Sequence, residues 1–265
     1  MSESRGGKGV HLAKLAKLLG RSHEVRGRQV DMHPPDEAML WFEGWQAKRL
    51  AMTYEDLEAQ PRYKPAVDFF LSDIYGARDF SRRDDDVRRV YPLMSRVLSE
   101  EAIGSITLAM DLHAMSQELD EKMLVQLRDH LGVAVGTDLQ PEDYAQAYRR
   151  VGEVEERQRQ IELVVQLGRT LDRVVPNPML YTAVKLAHGP AHMMGFGELQ
   201  DFVERGFVAF RHMHGADRFL GAVRDRELAI HHRLMAGELP SRWFMGGDAL
   251  EQDMAQAEAA TGGGA

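Results

Sequence analysis

Apolar positions along this chain recur every three or four residues, the spacing that lines one face of an α-helix. The clearest stripe is Leu108, Leu112, Met115, Leu119, Met123, Leu127 and Leu131. Ser99 with Glu100 and Glu101 suits its N-terminal cap, and Gly132 suits its stop. Upstream, Pro34, Pro35 and Asp36 open a helix carrying Trp41, Trp45 and Met52, and Pro61 breaks the pattern. Val67, Phe70, Leu71 and Ile74 mark the next element, from Pro65 to Gly76. A capping box at Ser81 and Asp84 predicts a helix through Leu98, kinked at Pro92. After a loop at 133–140, Pro141 starts a long helix toward Val175, striped by Tyr144, Tyr148, Val151, Val154, Ile161, Val165 and Leu171. Asn177 and Pro178 cap a shorter helix that the spacing ends near His188, Gly189 and Pro190. Two more follow, one from Gly197 to Met213 and one after Asp217, the latter striped by Phe219, Leu220, Val223, Ile230 and Leu234.

No segment alternates with period two for long enough to form a strand. The pattern therefore predicts an all-α fold, a multi-helix bundle or orthogonal helical array of about seven to eight helices. Residues 1–33 read as a basic arm, partly disordered, with a short amphipathic helix over 10–19. Residues 34–236 read as a single helical domain, and 237–265 as a weakly structured tail in which Asp248 and Glu251 cap one short helix.

Charge sharpens this picture. The 265 residues carry a net charge of −8, but residues 1–28 hold seven Lys/Arg against two Asp/Glu, a local +5, which leaves −13 on the rest. An acidic body disfavours nucleic acid as a partner. Cysteine is absent, which removes disulfides, thiolate metal sites and cysteine nucleophiles. No apolar run reaches the roughly 18–20 residues of a membrane span. Lys14 and Lys17 interrupt the only stretch resembling a secretory signal. The expectation is a soluble, cytoplasmic protein of bacterial type.

Motifs with fixed chemistry are missing. The chain has no phosphate-binding glycine loop, no nucleophile elbow, no His-Glu-x-x-His and no Glu-x-x-His. His188 and His192 are four apart, but Gly189 and Pro190 between them predict a broken helix, so no metal site is assigned. Met193, Met194 and Met213 beside histidines invite a copper reading, and core filling is the simpler account. Polar residues embedded in apolar stripes are more informative, because a buried polar group needs a partner. His113 lies among Ile106, Ala109, Met110 and Leu112. Gln158 lies between Val154 and Ile161, and Glu227 between Val223 and Ile230. His231, four residues after Glu227, pairs with it on one helix face, as a surface ion pair in the simplest account. His113, Gln158, Glu227 and His231 are the candidate core polar network, structural or lining a small pocket.

The stretch FFLSDIYGARDFSRRDDD at 69–86, LHAMSQELD at 112–120, RQRQIELVVQLGRTLD at 157–172 and FVERGFVAFRHM at 202–213 resemble an uncharacterised all-helical bacterial family. The resemblance covers most of residues 36–235. It implies an all-helical fold and carries over no activity, cofactor or site residue.

The reading these features fit best is a non-catalytic helical binding or interaction protein. An enzyme, or a cofactor or metal carrier with a polar pocket in the bundle core, is one alternative. A membrane-surface or partner-docking protein using the basic helix at 10–19 is another, with that helix docked on its own chain as the preferred outcome. Cofactor, ligand and substrate stay unassigned, and a homo-oligomer stays open.

Overall fold

A computed structural model describes residues 10–18 (apart from 12 and 16), 35–74 and 100–238, and every regular element among them is helical. The expected helix at 81–98 with its Pro92 kink, the cap at Ser99, the part of the basic arm beyond residue 18 and the tail helix near Asp248 all lie outside the described residues.

Helix α1 spans Pro35–Thr53, followed by the short α2, Glu55–Glu58. Helix α3, Lys64–Phe69, widens into a π-helical turn at Phe70–Ile74. The long α4, Glu100–Val125, ends in a second π turn at Gln126–His130. Then come α5 Pro141–Val151, α6 Val154–Val174, α7 Pro178–Met193, α8 Gly197–Met213 and α9 Asp217–Ala236. Helix α6 lies between α4 and α9, while α8 packs on α3 and pairs with α7.

The proline and asparagine signals work as the spacing predicts. Pro141 occupies the first turn of α5. The Asn177 side chain accepts hydrogen bonds from the backbone amides of Met179 (2.9 Å) and Leu180 (3.3 Å) at the start of α7.

Two expectations are corrected. The single helix from Pro141 to Val175 is broken, because Gly152 and Glu153 both take positive φ, 71° and 46°. The left-handed pair turns the chain between α5 and α6, and the Glu153 carboxylate accepts the Lys122 ammonium from α4. The break expected at Gly189–Pro190 does not occur, and α7 runs through Pro190 to Met193. Proline removes one backbone donor, and this stretch of helix is exposed, where a freed carbonyl is accessible to solvent.

Two apolar clusters make up the main core. One joins Leu50, Tyr54, Val67, Phe70, Val165, Phe207, Phe210, Phe219, Leu220 and Val223. The other joins Phe42, Met123, Leu127, Tyr144, Tyr148, Ile230 and Leu234. Helices α1 and α9 run through both, with Phe42 and Ile230 in one cluster and Leu50 and Val223 in the other. The inward-facing residues that α1 and α9 carry between those positions are flanked by apolar packing on two sides.

The N-terminal arm helix docks on its own chain. Leu15 and Leu18 are buried against Met110 and Ala114 of α4. Lys14 meets Asp111 at 2.6 Å, and the Thr107 hydroxyl donates to the His11 carbonyl at 3.3 Å. Leu12 and Leu19, which share this face by their spacing in the sequence, lie outside the described residues.

Candidate polar chambers in the helical core

Between the two clusters, α1 places Glu43, Gln46, Arg49 and Thr53 three or four residues apart, so they form one inward stripe. Helix α4 does the same with His113, Ser116, Gln117 and Asp120. Helix α6 contributes Arg157 and Gln160, and α9 contributes Glu227 and His231. These stripes enclose two chambers that share Gln46.

The larger chamber has a volume of about 150 Å³. Its walls are mainly apolar, from Ile106, Met110, Leu112, Leu167, Leu199 and Phe202. Its polar lining comprises Glu43, Gln46, His113, Ser116, Gln117 and Asp120, together with Asp73, which accepts from Arg205 at 2.6 and 3.0 Å. Burial pushes the Glu43 carboxyl up to about 8, and the neighbouring charge of Asp120 pushes in the same direction. Burial also raises Asp120, to about 6, against the opposing pull of the Arg157 charge, a hydrogen bond from Gln46 and the His113 imidazole. At neutral pH Glu43 is therefore the protonated member of this pair and Asp120 the ionised one. The buried Gln117 carbonyl oxygen has no hydrogen-bond partner.

A smaller chamber of about 50 Å³ is more polar. The Arg49 guanidinium donates to both oxygens of Glu227, at 2.8 and 3.0 Å, and the Tyr54 hydroxyl donates to Oε1 at 2.9 Å. Burial opposes the charge on Arg49, but the Glu227 carboxylate outweighs it and holds the guanidinium more firmly protonated than usual. His231 Nδ1 lies 2.8 Å from the Tyr148 hydroxyl. Burial, then the charges of His232 and Arg157, lower the His231 pKa, so the ring is neutral at physiological pH. Burial raises the Tyr148 pKa in turn. Arg157 donates to Gln160 at 3.2 Å, and Gln160 donates to Ser116 at 2.8 Å, which links α6 to α4. Arg157 Nη2 and His231 Nε2 are buried without partners. Orphaned polar atoms facing a polar chamber of this size are places for ordered water or the polar atoms of a ligand.

The four residues expected to meet are thus divided. His113 lines the larger chamber, while Glu227 and His231 line the smaller one. Gln158 is half-buried and lines neither, and its neighbours Arg157 and Gln160 take the inward positions. Glu227 and His231 are not a surface pair, since each faces inward to a different partner.

A profile described as a domain of unknown function, DUF8198, matches residues 26–240. The chain belongs to the DUF8198 family. No curated protein and no solved structure matches it. Both chambers lie wholly within the DUF8198 match, whereas the docked arm helix precedes it.

Proposed function

We propose that this chain binds a small, largely apolar molecule carrying a cationic or hydrogen-bond-donating head, with the head on Glu43 and Asp120 and the apolar body against Ile106, Leu112 and Phe202. The observation that carries this reading is a pair of carboxyl groups displaced upward by burial, Glu43 and Asp120, on the lining of a mainly apolar cavity of about 150 Å³, whose third carboxyl, Asp73, is already ion-paired with Arg205. Buried carboxyls displaced upward gain most from a ligand that restores the solvation they lost, and a donor head does that. The cavity is smaller than the roughly 300–1,000 Å³ of drug-sized sites, which restricts the ligand to a small amine or a comparable donor.

Thermal denaturation with benzylamine, toluene and benzoate tests the proposal. Benzylamine should raise the melting temperature of the wild-type chain, toluene should raise it less, and benzoate should leave it unchanged. A double Glu43→Gln/Asp120→Asn variant should lose the preference for the amine. Equal effects of all three probes, or none, would defeat the reading.

A second reading has its own observation. Glu43 near 8 and Asp120 near 6 straddle neutral pH, which is the arrangement that moves protons in acid–base catalysis. On this reading Glu43 gives a proton to a bound substrate and Asp120, held by Gln46, stays ionised. The two readings separate on whether a bound molecule leaves the chamber chemically unchanged.

A further inference from the structure

Helices α7 and α8 form a hairpin closed by residues 194–196. Because α7 stays helical across Pro190, His188 and His192 fall on one face at the i, i+4 spacing used by helical zinc ligands. Their ring centroids lie 4.4 Å apart. Facing them, α8 carries Asp201 and Glu204 one turn apart. Asp201 Oδ1 is 2.8 Å from His192 Nε2 and 3.7 Å from His188 Nδ1.

The geometry points to a site for a divalent transition ion of the zinc class, held by His188 Nδ1, His192 Nε2 and Asp201 Oδ1. The three ligand atoms all lie within 4.8 Å of one another. Tetrahedral zinc with bonds of about 2.0–2.1 Å needs its ligand atoms about 3.4 Å apart, so small side-chain rotations suffice. Two imidazoles and one carboxylate suit zinc, nickel or copper, whereas calcium and magnesium prefer oxygen alone. One coordination position stays open. Glu204 Oε2, 3.1 Å from His188 Nδ1, stands beside it, and its other oxygen is neutralised by Lys185.

The hairpin also orients one ligand. A Cβ at Gly197 would stand 2.7 Å from His192 Nδ1, so the absence of a side chain there lets the His192 ring lie against the start of α8. With Nδ1 on the glycine, Nε2 is the nitrogen turned to Asp201. Ordinary surface ion pairs would account for the His–Asp contacts without requiring this glycine or any ion.

Calorimetric titration of the full, untagged chain with zinc chloride distinguishes the two. One equivalent should bind with a Kd on the order of micromolar or tighter. His192→Ala and Asp201→Asn should each weaken binding by about tenfold or more, and His232→Ala, on α9, should leave it unchanged. Gly197→Ala should weaken binding by displacing the ring while circular dichroism shows an intact fold. Cobalt substitution should give the intense visible absorption of a low-coordinate site. Zinc uptake below half an equivalent, or uptake unaffected by a His188→Ala/His192→Ala double substitution, would overturn the site.

Discussion

Replacing Glu227 with methionine is the sharpest probe of the polar layer. The substitution keeps side-chain volume and removes a carboxylate that accepts from Arg49 at 2.8 and 3.0 Å and from Tyr54 at 2.9 Å. Arg49 is left as an unpaired charge with a side chain only 7 % exposed. Breaking a buried pair on one side costs about 3–5 kcal/mol. Glu227 itself is 17 % exposed, so water reaches the pair, and the lower end, about 3 kcal/mol, applies. At about 2–4 °C per kcal/mol for a chain of this size, the melting temperature should fall by about 6–12 °C. Urea denaturation followed by circular dichroism measures the loss directly. The double variant Arg49→Met/Glu227→Met removes the stranded charge and costs the Tyr54 hydroxyl its hydrogen bond to Glu227, worth about 1 kcal/mol. It should therefore recover more than half of the loss. A single variant that loses under about 1 kcal/mol, or a double variant less stable than the single, would refute the description of this pair as an enclosed polar layer.

Three further outcomes follow from the same geometry. Glu43 has a folded pKa above its unfolded value, so the native state holds the extra proton, and its contribution to stability, complete below about 4.5, is lost as pH rises through about 8. Chemical denaturation should show stability falling between pH 6.5 and 8, by at most about 1.4 kcal/mol per pH unit, and Glu43→Gln should flatten that slope. The window avoids His231, whose lowered pKa acts with the opposite sign and removes stability as pH falls below about 6.5. A double-mutant cycle between His113→Ala and Glu227→Ala should close to within about 0.5 kcal/mol, because the two line different chambers, whereas Asp120→Asn and Arg157→Met should couple through their charges. Deleting residues 1–28 should lower the melting temperature, and the full chain should not sediment with anionic vesicles at low salt, because Leu15 and Leu18 are already buried on α4. Vesicle binding lost with the arm, without loss of stability, would show instead that the arm serves a membrane.

Helix type and most boundaries were legible because periodicity and caps act locally. Gly197–Met213 and the helix from Asp217 are read directly from spacing and flanking glycine or aspartate. The polar chambers were only half legible, for two physical reasons. On α1 the apolar spacing marks Trp41, Trp45 and Met52; both tryptophans pack on the second cluster, but Met52 is exposed and Phe42 and Leu50 are the buried residues. Moving the face by one residue puts Gln46 and Arg49 inside. On α6 the stripe was extended from α5 as though the helix were continuous. The left-handed Gly152–Glu153 pair resets the phase, turning Arg157 and Gln160 inward in place of Gln158. Nothing local announces that Glu153 takes φ 46°, a conformation few side chains adopt. Methionine chemistry misled in another way. Met193 and Met194 read as core filler, yet Met193 is 83 % exposed beside His192, and Met179 and Leu186 on the same helix are exposed as well.

If a donor head binds in the larger chamber, the Glu43 carboxyl that burial holds protonated should ionise on its arrival. Carbon-13 carboxyl NMR of the chain, with Glu43 assigned by Glu43→Gln, titrates that group directly. The midpoint should lie near 8 in the free protein and move to lower pH when benzylamine saturates the chamber. A Glu43 midpoint near its ordinary value of 4.5, unchanged by the amine, would contradict this expectation.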